Sequence, residues 1–320
     1  MPKKPEINLM YQAHKGPPSK HYNGPEGIVW MNKARRPGVP NVAISAYANR
    51  KPNPNDGMFV LEPMCVNPGD YNINYLQKYK HIFTWATKAF EGTKVANKVI
   101  PVRHPSCLQT PNINNLISPW QPWNKRKNQI VFIANKKISY HPSEIYTVRV
   151  RLAEWLDAHS KYEVVWHGHS PPKASFSRGK IRNKAEVLSK VKFSICTENC
   201  YDSKYSHGYF TEKMPDVWKS GAVPIYMGCY NIDTLGFGPN SYIDLRKYIT
   251  KTGKKAEIKF GQLRNAIERF DEAQYNQLHK EVVDNMHSPT GLFHVTSHAE
   301  VYRTMLRTFF PTKQTAGPQT

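Results

Sequence analysis

The chain has 320 residues, 39% of them hydrophobic, which suits one large globular domain or two of about 150 residues each. No apolar run approaches the roughly 18 residues of a membrane span, and the first residues lack the apolar stretch of a signal peptide, so we expect a soluble, cytoplasmic protein. The five cysteines are odd in number and irregularly spaced, which disfavours a disulfide framework and favours reduced thiols.

The charge balance is strongly basic, with 45 Lys and Arg against 24 Asp and Glu and a net charge of +21. Such a field attracts polyanions. Nucleic acid is the first candidate partner, and nucleoside diphosphates, anionic glycans and anionic membrane surfaces are others. Charge alone does not choose among them, nor does it exclude a basic surface without a specific partner.

The first half of the chain predicts a tail followed by short strands. Residues 1–40 are rich in Pro, Gly and Lys, and we expect at least the first 25 to form a loop or tail. Four β-rich runs follow, and they predict strands at 41–47, 58–62, 81–85 and 99–102. A segment with several prolines then ends in the basic residues 125–127, which favours a linker.

The second half alternates strands with helices. The patterns predict strands at 129–134, 162–166, 192–196 and 223–227, and helices at 144–159, 184–190, 211–219 and 301–310. This alternation is typical of parallel βαβ units. The predicted fold class is α/β, with two Rossmann-like parallel-sheet domains, 1–125 and 126–320, facing a cleft. We expect the final helix either to cross back onto the first domain or to pack within the second.

The most informative stretch runs from Thr197 to Gly228. A predicted strand ends at residue 196, so Glu198 and Asn199 follow it directly. They are therefore expected at the carboxyl edge of the sheet, which is where open α/β sheets bind their ligands.

A turn and a helix follow this strand. Residues 208–211 (Gly-Tyr-Phe-Thr) predict the turn, and Thr211 suits the N-cap of the helix. Glu212 and Lys213 then lie at the helix N-terminus, where free N–H groups favour an anion. Glu212 is a common first-turn residue. Lys213 is unfavourable there unless it faces an anionic ligand, and a diphosphate would fit.

These residues resemble the donor-site signature of the α1,3-fucosyltransferases. The family pattern is an acidic residue with Asn, then Gly-Tyr-x-Thr-Glu-Lys, a helix, and Val-Pro-Ile with Gly. This chain has Glu198 and Asn199, then Gly-Tyr-Phe-Thr-Glu-Lys at 208–213 and Gly-Ala-Val-Pro-Ile-Tyr-Met-Gly at 221–228. The segment Asn-Ser-Tyr-Ile at 240–243 is also similar to the family.

The resemblance extends upstream of this signature. Residues 127–135 resemble the first strand of the family's donor domain, Arg149 and Arg151 its arginine helix, and residues 165–169 the strand that follows. Leu-Glu-Pro at 61–63 resembles the strand end that carries the family's proposed base.

Two features depart from the family. Thr197 stands where the family often has Phe, and the loop 200–207 is a few residues longer. Because this loop borders the sugar pocket, the identity of the donor sugar stays open. Asp202 lies in the loop and has no predicted partner.

The resemblance implies a GT-B fold and inverting transfer of fucose from GDP-fucose to a glycan hydroxyl, with no metal and no cofactor. The absence of any Asp-x-Asp sequence agrees with cations supplied by side chains. An acceptor hydroxyl needs a general base, and Glu62 is the candidate. The alternative is that Glu62 is a surface carboxylate before a proline turn.

The remaining roles concern the donor. Arg149 and Lys213 would stabilise the leaving diphosphate, since Arg binds phosphate bidentately and Lys acts as a point charge. Glu212 would hold sugar hydroxyls and stabilise positive charge at the anomeric carbon. Asn199 and Tyr209 would hydrogen-bond the donor. Arg149 could instead be a solvated helix residue, with Arg151 in its place.

Other functions remain open at this point. The protein could use another GDP-sugar, could transfer a sugar to nucleic acid, or could be a non-catalytic basic nucleic-acid-binding protein. The ordered motif argues against the last of these. An oligosaccharide or a glycolipid could each be the acceptor, and an anionic membrane surface is a further candidate partner.

Overall fold

A computed structural model describes residues 3–10, 20–32, 34–45, 52–104, 120–287 and 298–311. The chain forms two compact units, Met1–Thr110 with Thr296–Thr320, and Pro111–Val295. The predicted boundary at 125 lies further along the chain than this division. The reason lies in Trp123, which is buried in the second unit and packs against Phe193, Phe270 and Tyr275. The end of the predicted linker is thus part of the second core.

The first unit is built on a mainly parallel sheet. Its described strands, in the order in which they lie, are β2 (Lys20–Gly24), β3 (Gly27–Asn32), β1 (Glu6–Met10), β4 (Asn41–Ile44), β5 (Gly57–Val60), β6 (His81–Thr84) and β7 (Val99–Pro101). Only the β2–β3 pair is antiparallel among these neighbours. Short helices connect the later strands: a 3-10 turn at Pro68–Tyr71, α1 (Ile73–Leu76), and 3-10 turns at Thr87–Phe90 and Ala96–Lys98.

The prediction that the first 25 residues form a tail is wrong. Strand β1 lies in the middle of the sheet between β3 and β4, with Ile7 and Leu9 fully buried. Asn8 is buried as well, and its side chain donates to Asn41 Oδ1 at 2.8 Å. A central parallel strand is buried on both faces, so its polar residues do not alternate with apolar ones. Strand β1 has five residues and lies between segments rich in Pro and Lys, so the sequence shows no alternation long enough to indicate a strand.

The last helix, α7 (His298–Phe309), belongs to the first unit. Its Val301, Met305 and Leu306 are almost fully buried and join the core formed by Ile7, Leu9, Val29, Val42, Phe59 and Phe83. This is the first of the two packings expected for the final helix. The apolar stripe at i, i+4 and i+5 covers one face of the sheet, so the chain's two ends complete the same core.

The second unit contains a fully parallel sheet. Its described strands, in spatial order, are β10 (Ser177–Gly179), β9 (Glu163–His167), β8 (Lys127–Ile133), β11 (Val191–Ile195), β12 (Val223–Tyr226) and β13 (Ile243–Asp244). The helices are α2 (Tyr146–His159), α3 (Lys184–Leu188), α4 (Lys213–Lys219), α5 (Phe260–Arg269) and α6 (Glu272–His287). An antiparallel pair, β14 (Ile249–Lys251) and β15 (Glu257–Ile258), and 3-10 turns at Trp123–Lys125, Ile232–Thr234, Leu245–Lys247 and Gly253–Lys255 complete it. Parallel α/β sheets in both units confirm the predicted fold class.

The strand order of the second sheet reverses next to β8. The chain runs outward from β8 through β9 to β10, then returns to β11 on the other side and continues to β12 and β13. The carboxyl ends of β8 and β11 therefore border a topological switch point, which is where ligands bind in open α/β sheets. None of the described helices has the length and apolar character needed to cross a membrane. Among the described residues, Cys65, Cys196, Cys200 and Cys229 form no disulfide bond.

We expect Leu306→Ala to lower the free energy of unfolding of the first unit by about 3 kcal/mol, because it removes buried apolar atoms and leaves a cavity between α7 and the sheet. Urea unfolding followed by circular dichroism measures this. Arg307→Ala on the same helix is the control, since that side chain is exposed and its ion pair with Glu26 lies at the surface. The control should cost less than about 1 kcal/mol. Equal losses for the two variants would contradict the packing of α7 on this core.

Candidate active site

The candidate site lies at the switch point, where β11 ends and Thr197, Glu198 and Asn199 follow. Glu198 is fully buried. Its carboxylate accepts hydrogen bonds from the Thr211 amide at 2.8 Å and from the Thr211 hydroxyl, and the Lys213 ammonium lies 2.9 Å from Oε2. The Tyr226 hydroxyl is at 3.4 Å from Oε1. A buried carboxylate is costly unless it is paired and hydrogen-bonded, and Glu198 meets both conditions.

Gly228 explains the end of the sequence motif. A Cβ atom at this position would overlap Cβ and Cγ of Glu198. The amide of Glu198 also donates to the carbonyl of Met227 at 2.8 Å, so the ends of β11 and β12 are held close together. A glycine is therefore required by the close approach of the buried carboxylate.

The start of α4 differs from the prediction. The helix begins at Lys213 with Glu212 as its N-cap residue, and not with Thr211. The Thr211 hydroxyl is bonded to the Glu198 carboxylate, which the sequence pattern alone did not indicate. Thr211 therefore hydrogen-bonds a buried carboxylate instead of capping the helix, and α4 begins two residues later, at Lys213.

Lys213 has an anionic partner within the protein, Glu198, so its position at the helix N-terminus does not by itself require an anionic ligand. Its ammonium contacts Glu198 at 2.9 Å and the Thr211 hydroxyl at 2.8 Å. Burial alone would lower the pKa of Lys213, but the carboxylates of Glu198 and Glu212 outweigh it and raise that pKa above its usual value. The ammonium is thus positively charged throughout the neutral range, and it lines the cleft described below.

Glu212 lies between two lysines. Its carboxylate is 3.7 Å from the Lys213 ammonium and 4.0 Å from that of Lys184. Burial acts to raise the pKa of Glu212, but the two cations outweigh it and hold the pKa below its usual value. Its side chain is 39% exposed, so the ionised carboxylate is accessible to a ligand at neutral pH.

Arg149 projects from α2 and is buried. Its guanidinium donates to the Thr197 hydroxyl at 2.7 Å, to the Thr197 carbonyl at 2.8 Å, and to the carbonyl of Glu198. The alternative that Arg149 is solvated is therefore wrong. Arg151 bonds the carbonyl of Ala256 and lies over the Phe260 ring, away from these groups.

Asn199 and Tyr209 form one chain of hydrogen bonds with Arg149. Arg149 donates to Asn199 Oδ1 at 3.3 Å, and Asn199 Nδ2 donates to the Tyr209 hydroxyl at 3.0 Å. Tyr209 is only 2% exposed. Of the five donor-binding residues predicted in this unit, Arg149, Glu212 and Lys213 line one pocket, whereas Asn199 and Tyr209 are linked to Arg149 by hydrogen bonds and do not line it.

The side chains at this edge line a cleft. Arg149, Lys184, Glu212, Lys213 and Asp216 contribute to its wall, together with the ends of β8 and β11. A second pocket shares Ile133, Ala134 and Lys184 with the first, and Asn135, Gly168, His169, Lys180, Ile181 and Arg182 complete its lining. The joined cleft therefore presents five cations and two carboxylates, an arrangement that suits a ligand with two or more negative charges.

Sequence reasoning missed some of these residues. Glu198 was recognised only as part of an acidic-Asn pair, and Lys180, Arg182 and Lys184 were not singled out. The available signal was the alternation of Lys180 and Arg182 in the loop between β10 and α3, followed by Lys184 as the first residue of α3, because that loop leaves the carboxyl edge of the sheet. Asp202, to which the sequence assigned no partner, accepts from the Ser143 hydroxyl at 3.1 Å and from the amides of the following turn.

Glu62, the predicted base, lies in the first unit. It sits in a bend just after β5, as expected for a residue at the carboxyl end of a strand. The Tyr71 hydroxyl donates to its backbone carbonyl at 3.1 Å, which fixes the bend. Its side chain is partly exposed.

Comparison with known proteins gives the following similarities. No family model matches the chain. An α-(1,3)-fucosyltransferase, FucT, of Helicobacter pylori is 35% identical over 68 residues, which are 21% of this chain and 13% of that protein. The chain is thus similar to only a small part of this curated relative. A crystal structure of an α1,3-fucosyltransferase with GDP-fucose aligns with a TM-score of 0.52 at 14% identity, over 98% of this chain and 92% of that one.

A second fold neighbour is an α-glucosyltransferase in complex with UDP and a DNA 13-mer that contains an A:G mismatch. It aligns with a TM-score of 0.51 at 10% identity, over 86% of this chain and 72% of the other. At such identities the structural alignments establish the fold and nothing further.

The fold is that of the GT-B class, which this chain shares with these solved glycosyltransferase structures. Within this class the chain resembles the α1,3-fucosyltransferases, both in the local sequence match and in fold, and this confirms the resemblance predicted from the motifs.

We expect Glu198→Gln to lower the free energy of unfolding by about 3 kcal/mol, because it removes the buried charge that pairs with Lys213. Urea unfolding measures the change. Glu186→Gln is the matched control, since Glu186 is exposed and pairs with Lys190 within one helical turn. That change should cost less than about 0.5 kcal/mol. If Glu198→Gln were as mild as its control, the pair would not organise this region.

Proposed function

We propose that the protein transfers fucose from GDP-fucose to a hydroxyl group of a glycan, with inversion and without a metal or cofactor. The observation that carries this proposal is the cationic cleft at the switch point. Its wall contains Arg149, Glu212 and Lys213, the same residues that match the donor motif of the fucosyltransferases. The GT-B fold supports the proposal, because fold neighbours include an α1,3-fucosyltransferase in complex with GDP-fucose.

In this proposal the diphosphate of the donor lies between Arg149, Lys184 and Lys213. Cations fixed at this point would stabilise the negative charge that develops on the leaving GDP. Lys213 is already oriented by Glu198, and Arg149 by the carbonyls of the strand end, so little reorganisation is needed when the donor binds. Preorganised charge of this kind is more effective than charge on mobile side chains.

Glu212 is the group proposed to contact the sugar. Its carboxylate is ionised and accessible, and it lies within 4 Å of two cations. A carboxylate here would accept hydrogen bonds from sugar hydroxyls. It would also stabilise the positive charge that builds at the anomeric carbon as the bond to phosphate breaks.

Glu62 is the proposed general base. It would take the proton of the acceptor hydroxyl as that oxygen attacks the anomeric carbon, and the bond from that carbon to the β-phosphate oxygen would break, releasing GDP. Attack opposite the leaving group inverts the configuration. Support comes from the position of Glu62 at the carboxyl end of β5 and from the Leu-Glu-Pro resemblance.

A second candidate function is sugar transfer to nucleic acid. The net charge of +21 favours a polyanionic acceptor, and one fold neighbour is an α-glucosyltransferase in complex with DNA. In both proposed functions the cleft binds the nucleotide-sugar donor, so the two functions differ only in the acceptor.

We expect calorimetric titration in the presence of EDTA to detect binding of GDP-fucose in preference to GDP-mannose, UDP-glucose and UDP-galactose. Lys213→Gln should weaken binding roughly 10- to 100-fold, the usual effect of losing a charge-assisted hydrogen bond. Lys184→Gln should also weaken it, and this change leaves the partner of Glu198 in place.

Lys190→Gln is the control for these two variants, because Lys190 precedes β11 at the opposite edge of the sheet. Its affinity should equal that of the parent. If another nucleotide sugar bound preferentially, the cleft would still be the donor site, but the proposed donor, GDP-fucose, would be wrong. Failure of all four to bind would refute the donor site.

We expect Glu62→Gln to abolish fucose transfer while leaving GDP-fucose affinity unchanged, because the amide cannot accept the proton of the acceptor. Release of GDP in the presence of a panel of oligosaccharides measures transfer. Glu91→Gln, an exposed carboxylate of the same unit, is the control and should retain full activity. Retained activity in Glu62→Gln would assign the base to another residue.

A further inference from the structure

Two large hydrophobic side chains are unusually exposed in one loop of the second unit. Ile138 is 79% exposed and Tyr140 is 83% exposed. Both lie in the connection that leaves β8 at the carboxyl edge of the sheet. Single exposed apolar residues are common on protein surfaces, but two in three residues form a small apolar tip that invites an explanation.

Four lysines lie in the loop that carries the tip and in the turn next to it. Lys136 and Lys137 precede it in the same loop, and both are exposed. The turn at Gly253–Lys255 adds Lys254 and Lys255, and the Lys254 ammonium lies 4.2 Å from the centre of the Tyr140 ring. Among the described residues no salt bridge joins any of these four lysines to a carboxylate.

The two segments are held together by backbone contacts. The Thr252 hydroxyl donates to the carbonyl of Pro142 at 3.0 Å, and the Gly253 amide donates to the carbonyl of Glu144 at 2.9 Å. Gly253 has a φ of +68°, and a Cβ there would meet the Pro142 carbonyl oxygen at 2.6 Å. The tip and its lysines therefore form one surface with a defined shape.

We propose that this surface, formed by Lys136, Lys137, Ile138, Tyr140, Lys254 and Lys255, docks on an anionic lipid membrane. The lysines would be attracted to acidic headgroups, while Ile138 would enter the boundary between headgroups and acyl chains. Tyr140 would lie at the headgroup level with its hydroxyl in water, as tyrosines do at membrane interfaces. Weak apolar insertion and a basic patch together supply the two signals that stable peripheral binding requires.

The apolar tip favours a membrane over a nucleic acid. A polynucleotide would be recognised by cations and by aromatic stacking, and it offers no environment that rewards the exposure of an isoleucine. A lipid surface rewards both parts of the patch. The proposal locates membrane contact on named residues and does not depend on the identity of the transferred sugar.

Co-sedimentation with lipid vesicles tests the proposal. The parent protein should bind vesicles of phosphatidylcholine with about one-third phosphatidylglycerol, and should not bind pure phosphatidylcholine vesicles. The double variant Lys254→Glu with Lys255→Glu should weaken binding roughly tenfold or more. Ile138→Ser with Tyr140→Ser should also weaken binding to the acidic vesicles, although this change leaves every charge in place.

The control reverses two exposed lysines of the first unit, Lys88→Glu with Lys94→Glu, which changes the net charge equally. Its vesicle binding should stay within about twofold of the parent, since interactions with distant surface charges are screened. An equal loss in this control would overturn the proposal in favour of general electrostatic attraction. No effect of the Ile138 and Tyr140 changes would also overturn it.

Anisotropy of a labelled single-stranded oligonucleotide, measured with the same variants, covers the competing partner. If the patch variants lose oligonucleotide binding and keep vesicle binding, the surface is a nucleic-acid site and the membrane proposal is wrong. Circular dichroism spectra and urea midpoints show whether each variant is folded. Neither the vesicle assay nor the oligonucleotide assay requires enzymatic activity.

Discussion

The buried carboxylate of Glu198 is the constraint on which the rest of the candidate site depends. A charge with no solvent contact must be compensated within the protein, and the compensation comes from Thr211 and Lys213. This requirement fixes where α4 begins and holds the Lys213 ammonium at the mouth of the cleft. It also excludes any side chain at Gly228. The spacing between Glu198, Lys213 and Gly228 in the sequence motif is therefore set by the formation of one buried ion pair and by the space that it needs.

Two cations approach the end of β11 from different elements. Arg149 comes from α2 and binds carbonyls and a hydroxyl, whereas Lys213 comes from the start of α4 and binds a carboxylate. Arg149 also opposes the rise in the pKa of Lys213, so the two charges act on one another. Repulsion between cations held by the protein is relieved when an anionic ligand enters between them. A cleft of this design favours a diphosphate over a neutral molecule, whichever sugar the diphosphate carries.

The sequence allowed the parallel α/β fold to be predicted, and also the grouping of the motif residues near the end of β11, because the hydrophobic periodicity and the order of the motif match the strands and helices of the second unit. It did not allow β1 to be predicted, since a five-residue strand buried on both faces has no alternation. The role of Thr211 was missed for a different reason. A threonine before a helix usually caps it, and only the position of the buried Glu198 diverts its hydroxyl. The local capping rule failed here because the Thr211 hydroxyl forms a tertiary hydrogen bond with the Glu198 carboxylate instead of bonding to the helix backbone.

The net charge also gave no information on where the cations lie. In the structure many of them lie at the carboxyl edge of the second unit's sheet. The chain leaving β8 first lines the candidate cleft with Ala134 and Asn135, and a few residues later forms the exposed tip of Ile138 and Tyr140. One connection thus serves both surfaces. If the tip rests on acidic lipid, the carboxyl edge of this sheet lies close to the headgroups, where acceptors anchored to lipid are concentrated. A glycolipid acceptor would then meet the donor cleft by diffusion in two dimensions, which a free oligosaccharide would not.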